Sequence, residues 1–392
     1  MPWLKPRYRY RRLWKRLAAF GLDLFGGILF GLIRRLRPCS RPQNPERILV
    51  VRIDQIGDVV MIRPALSALH RRYPHARIDL LLTSETLPLF RDTYPWGDVL
   101  ACERSWFKRG QGGWRLFREY FRLVKLLRSR QYDIGIDFRG DLRTIRLLRC
   151  AKIPWRIGYA NTGGGFWLSE ALWDNGRTHQ VTLNLLLTQR LGADTCSELE
   201  SFTYTAARRG EIEKELGFYL HSDSRPRVII HGEAGYPSKR WPWTRYEELI
   251  RMLLDRREAH VILIGQGGAG SEGRALPAHP DLRDLRGKTR LEDLPVIMDL
   301  CDLYVGNDSG PAHLAAAQKL ESIILFSGTN DENVWHPWNP KLHLIRYAVP
   351  CSPCESPRCR YAHHDCLMKI SVREVHDCIR LVLAQRTEKP PR

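Results

Sequence analysis

The sequence predicts an α/β protein made of two doubly wound domains. Apolar, β-branched runs alternate with helix-compatible segments in both halves of the chain, which is typical of parallel strands covered by helices on both faces. The chain has 392 residues, 43% of them hydrophobic, and is long enough to bury two ordinary cores. Open α/β sheets bind ligands at the carboxyl ends of their strands, so functional residues are expected there.

The first predicted domain covers residues 46–205. Its strand candidates are RILVVRI (Arg47 to Ile53), RIDLLLT and YDIGIDF. The helix candidates between them are MIRPALSALHRRYP and the basic amphipathic segment WRLFREYFRLVKLLRS. A polar stretch at 206–225 predicts an interdomain link. The second predicted domain covers residues 226–392, where the strand candidates are RVIIHGE, HVILIGQ, CDLYVGND and SIILFSG.

Residues 1–45 form a basic, apolar N-terminal extension. Its apolar stretch, Leu17 to Ile33, is interrupted by Asp23 and flanked by basic residues, and no small-residue cleavage site follows it. Tryptophans and basic residues at its ends favour an amphipathic segment lying in the interface of an anionic membrane. The alternatives are a solvated basic leader and a helix that spans the bilayer.

Charge and cysteine content indicate the kind of partner and the cellular compartment of the protein. The chain has 62 Lys+Arg against 43 Asp+Glu, a net charge of +19, which indicates an anionic partner such as a membrane surface, a nucleic acid or a phosphorylated substrate. Charge alone does not choose among these. Six of the ten cysteines are isolated and the others cluster, which favours a reducing, cytosolic compartment over a disulfide framework.

The first strand ends at DQIGDVV, where Gly57 permits a tight turn and Asp58 stands at a helix start. Asp58 has two interpretations. It is either the N-cap of the helix, worth about 1 kcal/mol, or a carboxylate that accepts a proton from a sugar hydroxyl. Spacing alone does not separate them.

Two loops of the second half carry candidate ligand contacts. HGEAGYPSKRWP places Lys239 at a strand end, where it is either a solvated loop charge or a phosphate contact. GQGGAGSEG (Gly265 to Gly273) contains a weak G-x-G-x-x-G fingerprint, which Pro277 soon interrupts. Its glycines allow close backbone approach to a ligand, and Glu272 is a candidate to accept hydrogen bonds from ribose hydroxyls.

The segment GNDSGPAHLAAA follows the strand DLYV, and Gly310 and Pro311 are predicted to open a helix there. Either Asp308 or Ser309 is the expected N-cap, but capping does not explain Asp308, Ser309 and His313 together. The amides of a helix start favour phosphate. We therefore expect Asp308 to face neutral hydroxyls of the ligand, beside a phosphate bound at these amides.

These motifs, in this order, resemble those of the family 9 glycosyltransferases, the heptosyltransferases, from Arg47 to Cys378. The resemblance implies a GT-B fold, two Rossmann-like domains facing each other across a cleft. It also implies inverting transfer of heptose from ADP-heptose to a lipid-linked lipopolysaccharide inner-core acceptor at the cytoplasmic face of the inner membrane. No cofactor for catalysis and no nucleic-acid partner are expected.

The family's functional residues carry over to matching positions. Asp58 matches the general base, Lys239 the lysine that meets the donor phosphates, and Asp308 the aspartate near the heptose hydroxyls. Glu272 falls near the acidic residue that meets the adenosine ribose. The phosphate-binding helix start is matched by Ser309, Gly310 and His313. The resemblance places the acceptor in the first domain and the donor in the second.

A cysteine cluster, CSPCESPRCRYAHHDCL, is a candidate site for structural zinc or iron, although its later spacings differ from the commonest zinc patterns. The candidate ligands are Cys351, Cys354, Cys359 and Cys366. Reduced cysteines in a compact loop are the alternative. Bound iron would suit a different function, heptose transfer to a protein of the autotransporter type. Two further alternatives are a nucleotide-sugar epimerase and a non-enzymatic basic module binding membrane or nucleic acid.

Overall fold

A computed structural model describes residues 8, 10, 12–36, 40–103, 114–216, 223–267 and 276–387. The chain divides into two compact units, Met1–Glu198 and Leu199–Arg392. Each unit is built on one six-stranded sheet whose paired strands are all parallel. The predicted α/β class with two doubly wound domains is confirmed.

The sheet of the first unit has the strand order β3-β2-β1-β4-β5-β6. Its strands are β1 Arg47–Val51, β2 Arg77–Thr83, β3 Val99–Cys102, β4 Ile134–Asp137, β5 Trp155–Tyr159 and β6 Glu170–Leu172. The order reverses between β1 and β4, where Val51 pairs with Asp137. This reversal is a topological switch point, the place where open α/β sheets bind ligands.

The α-helices in the described part of the first unit are α1 Leu13–Leu36, α2 Ile56–Val60, α3 Arg63–Arg72, α4 Pro88–Arg91, α5 Trp114–Ser129, α6 Leu142–Cys150 and α7 Gln180–Gln189. α5 and α6 cover the same face of the sheet, because Leu127 of α5 and Leu148 of α6 share one core cluster with Leu49 and Val51 of β1. Burial of these side chains fixes which faces of both helices point outward.

The N-terminal helix α1 packs on a 3-10 turn at Gly165–Trp167. Asp23, the residue that interrupts the apolar stretch, accepts a hydrogen bond from the Gly164 amide at 2.6 Å. Gly26 lies so close to Phe166 that a Cβ would sit 2.5 Å from its ring. α1 is therefore part of the first unit. Among the described residues no helix has the length and hydropathy needed to cross a bilayer.

The second unit repeats the arrangement, with the strand order β12-β11-β10-β7-β8-β9. Its strands are β7 Arg227–His231, β8 His260–Leu263, β9 Leu282–Asp284, β10 Leu303–Asn307, β11 Ser322–Leu325 and β12 Leu342–Ile345. The switch point lies between β7 and β10, where His231 pairs with Gly306. The helices are α8 Ala206–Leu216, α9 Trp243–Asp255, α10 Leu294–Asp299, α11 Gly310–Ala317, α12 Glu332–Trp335, α13 Asp365–Met368 and α14 Val372–Thr387.

The segment predicted as an interdomain link, 206–225, differs in the structure. It begins with helix α8, which lies within the second unit. Ile212 and Leu216 are buried, and Arg208 forms an ion pair with the buried Asp293. A polar sequence folds here because its few apolar residues share one face and its charges find partners. The division between the units falls ahead of this helix, at residues 198 and 199.

Candidate active site

The switch point of the second unit brings together two residues that the sequence singled out separately. Lys239 ends a short 3-10 turn after β7, and Asp308 directly follows β10. Lys239 Nζ lies 2.6 Å from Asp308 Oδ2, with the two side chains only 14% and 3% exposed. Asn330 Nδ2 donates to the same carboxylate oxygen at 3.1 Å. The arrangement holds a cation and a carboxylate at the ends of adjacent strands.

The start of α11 matches the expectation of Ser309 as N-cap in position but not in hydrogen bonding. The helix begins at Gly310 with Pro311 following, as predicted, and Ser309 occupies the N-cap position. Its side chain makes no capping hydrogen bond, because its hydroxyl lies 3.2 Å from His231 Nδ1. Asp308 is turned toward Lys239 instead. Ser309 is thus the N-cap by position, as one of the two alternatives expected, but it provides no side-chain cap, and both side chains belong to the polar cluster at the strand ends.

His231 and Gly306 set the shape of this strand end. Burial lowers the pKa of His231 to about 4, so its imidazole is neutral near pH 7 and pairs with the Ser309 hydroxyl as a dipole. A Cβ at Gly306 would lie 2.7 Å from the His231 carbonyl oxygen and 2.8 Å from the Tyr304 hydroxyl. Glycine is required at 306 because backbone and ring approach so closely.

Asn307 joins the two strand ends, a role that the sequence analysis missed. Its Oδ1 accepts from the Trp241 amide at 3.0 Å, and its Nδ2 donates to the Gly232 carbonyl at 2.8 Å. Asn307 is fully buried, so each of these bonds satisfies a polar group that water cannot reach. The loop that carries Lys239 is thereby tied to the strand that carries Asp308.

The cysteine-rich segment also braces the Lys239 loop. Ser238, next to the lysine, donates its hydroxyl to the Ser356 carbonyl at 2.5 Å and its amide to the Pro357 carbonyl at 3.2 Å. His364 Nε2 lies 3.0 Å from the Ser238 carbonyl oxygen. No periodicity in the sequence signals this contact, since it joins residues more than a hundred positions apart. The segment therefore has a structural role in positioning Lys239.

The four predicted metal ligands are not gathered around one point. A cavity of about 240 Å³ is lined by Cys351, Cys359 and Cys366, but Cys354 is not among its lining residues. The Cys354 backbone amide donates to the Gly328 carbonyl at 3.0 Å. Within the part of the chain that the structure describes, no three His, Cys, Asp or Glu side chains are arranged to hold a metal ion.

Glu272, the candidate ribose contact, lies outside the described residues. The described beginning of the same glycine-rich loop is held by Glu233, which follows β7. Glu233 Oε2 accepts from the Gln266 amide at 2.9 Å, and Gly267 adopts a φ of 67°. A positive φ of this kind is the conformation that glycine favours. Glu233 was missed because a lone acid after a strand carries no distinctive spacing.

In the first unit Asp58 is the third residue of α2, and the N-cap position belongs to Gln55. The interpretation of Asp58 as the N-cap of this helix is therefore wrong. Its Oδ1 instead accepts from Arg52 Nη2 at 2.8 Å, and Arg52 is almost fully buried. The ion pair fixes the orientation of the carboxylate at the end of β1.

A second carboxylate shares Arg52. Asp54 Oδ2 lies 3.2 Å from Arg52 Nε, and Asp54 also pairs with Arg139, which follows β4. Burial raises the pKa of Asp54 to about 6, against the opposing effect of the arginines. No sequence motif pointed to Arg52, Asp54 and Arg139, although all three lie at strand ends on either side of a switch point.

Two doubly wound units, each with polar residues at its switch point, have the GT-B architecture. The chain belongs to glycosyltransferase family 9 (heptosyltransferase), whose model matches residues 120–364. The family predicted from the motifs and the assignment as a glycosyltransferase are confirmed.

Named relatives agree with this assignment. Lipopolysaccharide heptosyltransferase 3 of Escherichia coli (strain K12) is 27% identical over 295 residues, which cover 73% of this chain and 83% of that protein. The structure of E. coli ADP-heptose lipopolysaccharide heptosyltransferase II matches with a TM-score of 0.70 at 22% identity, over 87% of this chain and 99% of that chain. The iron-containing dodecameric glycosyltransferase TibC from enterotoxigenic E. coli matches more distantly, with a TM-score of 0.55 at 13% identity, over 88% of this chain and 78% of that chain.

Proposed function

We propose that the protein transfers heptose, with inversion at the anomeric carbon, from ADP-heptose to a lipopolysaccharide inner-core acceptor. The observation that carries the proposal is the Lys239–Asp308 pair beside the start of α11, at the switch point of the second unit. Family membership and the similarity to lipopolysaccharide heptosyltransferases support it. The names of those relatives specify ADP-heptose or lipopolysaccharide. We assign both substrates to this chain as part of the proposal.

The donor contacts are proposed for the second unit, here taken as the donor domain. The backbone amides at Ser309 and Gly310 and the buried His313 in the first turn of α11 form a helix start suited to phosphate. The Lys239 ammonium has three N–H donors, of which the bond to Asp308 uses one, so the others suit the charge that develops on the departing ADP. Asp308, also held by Asn330, then accepts hydrogen bonds from heptose hydroxyls, and Glu272 is proposed for the ribose.

The acceptor chemistry is proposed for the first unit. Asp58 acts as the general base, taking the proton from the acceptor hydroxyl as that oxygen attacks the anomeric carbon. The bond from Arg52 to Oδ1 orients the carboxylate so that Oδ2 is the oxygen that accepts the proton. Asp54, on the other side of Arg52, balances the charge of the arginine.

One assay tests donor, acceptor and reaction type together. Purified protein is incubated with ADP-heptose and a panel of truncated core acceptors, and products are identified by mass. The proposal predicts a mass increase of one heptose on a core acceptor together with release of ADP. Heptose found on a peptide acceptor alone would favour the autotransporter type, and turnover of donor without any acceptor would favour an epimerase.

We propose further that the protein works peripherally at the cytoplasmic face of the inner membrane, on an anionic lipid surface. The face of α1 opposite its docking contacts is apolar and exposed, and Phe25 is 75% exposed there. Other large exposed side chains on this face include Trp14, Leu17, Leu24, Ile28 and Leu32. Phe25→Glu is expected to lower the share of protein recovered in the membrane fraction of cells.

A structural zinc or iron at Cys351, Cys354, Cys359 and Cys366 stays a prediction. The cavity lined by three of these cysteines and by His363 and Asp365 supplies ligand types that suit both metals. Elemental analysis of the purified protein tests it. About one equivalent of metal, lost in Cys359→Ser, supports a metal site, and metal-free protein with full transferase activity would leave the segment only its role beside Ser238.

A further inference from the structure

Helix α5 carries an exposed aromatic cluster that the proposed transfer reaction does not use. Trp114, Phe117 and Phe121 are 78%, 54% and 50% exposed. The Trp114 and Phe117 ring centroids lie 5.6 Å apart, and those of Phe117 and Phe121 lie 4.5 Å apart. The spacing of three and four residues places the rings on one helix face. A contiguous apolar patch of this kind on a folded protein marks an interaction surface.

The cluster is held outward by the packing of the helix. Leu123, Val124 and Leu127, farther along α5, are buried in the core cluster of the first unit. Rotation of α5 that hid the aromatic rings would expose Leu123 and Leu127, at a cost of roughly 1.5–3 kcal/mol for each. The exposure therefore follows from the fold.

Basic side chains lie beside the aromatic rings. Arg118, Arg122 and Lys125 are exposed and form a neighbouring stripe on α5 at helical spacing. The single acidic residue of the helix, Glu119, is only partly exposed. A helix with aromatic rings and a cationic stripe side by side is the pattern of a segment that lies at a lipid headgroup region.

Helix α6 connects this surface to α1. The Arg146 guanidinium lies 5.7 Å from the Tyr120 ring centroid of α5, and the Arg149 guanidinium lies 5.8 Å from the Phe30 ring centroid of α1. Both arginines are exposed. The three helices therefore lie side by side in the order α5, α6, α1, with the exposed arginines of α6 against the half-buried rings of Tyr120 and Phe30.

We infer that α5, α6 and α1 together form one docking face for an anionic lipid bilayer, in which the aromatic rings of α5 enter the headgroup region and the α6 arginines contact anionic headgroups. The inference deepens the proposed function, on which it rests for the lipid-linked acceptor. It adds α5 and α6 to the N-terminal extension as membrane contacts. Contacts from two separate apolar helices, with cations between them, hold the unit in one orientation on the bilayer. Contacts from a single helix do not.

The charges favour a bilayer over a second copy of the chain. A two-fold interface would place the same patch on both partners, so Arg118, Arg122 and Lys125 would meet their own copies. Like charges brought together in this way oppose association. An anionic lipid surface attracts each of them.

The test is co-sedimentation of the full chain with vesicles of phosphatidylglycerol and phosphatidylethanolamine, compared with vesicles of phosphatidylcholine alone. Two double variants are each expected to lower partitioning onto the anionic vesicles by about tenfold. They are Phe117→Ser with Phe121→Ser, and Arg146→Gln with Arg149→Gln. Arg380→Gln with Leu381→Ser is the matched control, because it removes one exposed cation and one exposed apolar side chain from α14 in the second unit. The control is expected to bind as the parent does. Unchanged thermal unfolding shows that the variants fold.

Several outcomes would overturn the inference. The first is unchanged binding of both α5 and α6 variants, and the second is equal binding of the parent to phosphatidylcholine. The third is a dimer in solution that the α5 variant converts to monomer without losing vesicle binding, which would assign the patch to self-association.

Measurements of heptose transfer test the docking face and the proposed function separately. With a soluble truncated core acceptor the variants are expected to transfer heptose at the parent rate, whereas with acceptor embedded in anionic vesicles they are expected to be slower by about the same factor as their binding. A parent protein with no heptosyl transfer to the soluble acceptor would refute the proposed function and leave vesicle binding as a test of the docking face. Equal rates for parent and variants on embedded acceptor would refute the docking face alone.

Discussion

The two units share one strand order but use their switch points differently. In the first, β1 and β4 are followed by a network of buried charges in which Arg52 pairs with two carboxylates. In the second, β7 and β10 are followed by one ion pair, Lys239–Asp308, beside a helix start that no side chain caps. The same scaffold thus presents an oriented carboxylate in one unit and a lysine–aspartate pair beside the amides of a helix start in the other. The residues that follow the first and fourth strands, and not the topology, determine the chemistry of each unit.

The largest expected effect tests the role of the first unit. Asp58→Asn is expected to lower the transfer rate by 10²–10⁴-fold, roughly the contribution of a general base, with donor affinity unchanged because the donor contacts are proposed for the second unit. Steady-state kinetics measures the transfer rate, and calorimetric titration with ADP-heptose measures the donor affinity. Asp194→Asn is the control, since it breaks the exposed pair with Arg71 in the same unit. A folded Asp58→Asn protein that retains most of its rate would remove the base from the mechanism.

The matching test in the second unit changes Lys239. Lys239→Met is expected to weaken ADP binding and slow transfer, together lowering kcat/KM by about 100-fold, because it deletes the side-chain cation proposed for the diphosphate. Competition binding with ADP and initial rates check this. Lys369→Met, at an exposed lysine of the same unit, is the control. Equal ADP affinity in the Lys239 variant and the parent would contradict the donor assignment.

A smaller effect tests the brace beneath Lys239. Ser238→Ala removes the hydroxyl bond to the Ser356 carbonyl and is expected to lower kcat/KM by about 3–10-fold, in line with the loss of one hydrogen bond. Ser238 acts through the position of its neighbour, so Ser238→Thr, which keeps a hydroxyl, is expected to recover part of the loss. If Ser238→Ala lowered thermal stability but left kcat/KM unchanged, the brace would have no part in positioning Lys239.

The smallest effect concerns pH and the first unit. Burial raises the pKa of Asp137 to about 7 in the folded chain, so between about pH 4 and 7 the folded state binds more protons than the unfolded state. Stability from this group is therefore lost as pH rises through that window. Asp137→Asn is expected to reduce the fall in melting temperature between pH 5 and pH 8 by roughly 2–4 °C. An identical fall in the parent and the variant would contradict the assignment of this loss to Asp137.

The sequence predicted the fold and part of each site. Apolar runs such as RILVV predicted buried parallel strands because such strands are covered on both faces. Polar residues at strand ends, Lys239 and Asp308, predicted a site because the topology gathers strand ends. The capping interpretation of Asp58 was wrong, since Gln55 holds the N-cap position and Arg52, six residues earlier in the chain, binds the Asp58 carboxylate. Ser309 holds the predicted N-cap position, but its hydroxyl pairs with the distant His231 instead of a helix amide. Long-range partners of this kind leave no local pattern.

The most direct test of the central claim compares binding of two ligands. If Asp308 contacts the sugar and Lys239 the phosphates, Asp308→Asn, which keeps an acceptor oxygen for Asn330 Nδ2, will bind ADP with the parent's affinity. It will bind ADP-heptose at least about tenfold more weakly, as expected for lost hydrogen bonds between a charged group and sugar hydroxyls. Calorimetric titration of both ligands into both proteins gives the four dissociation constants. A loss of affinity for ADP equal to that for ADP-heptose, or no loss for either, would contradict the account.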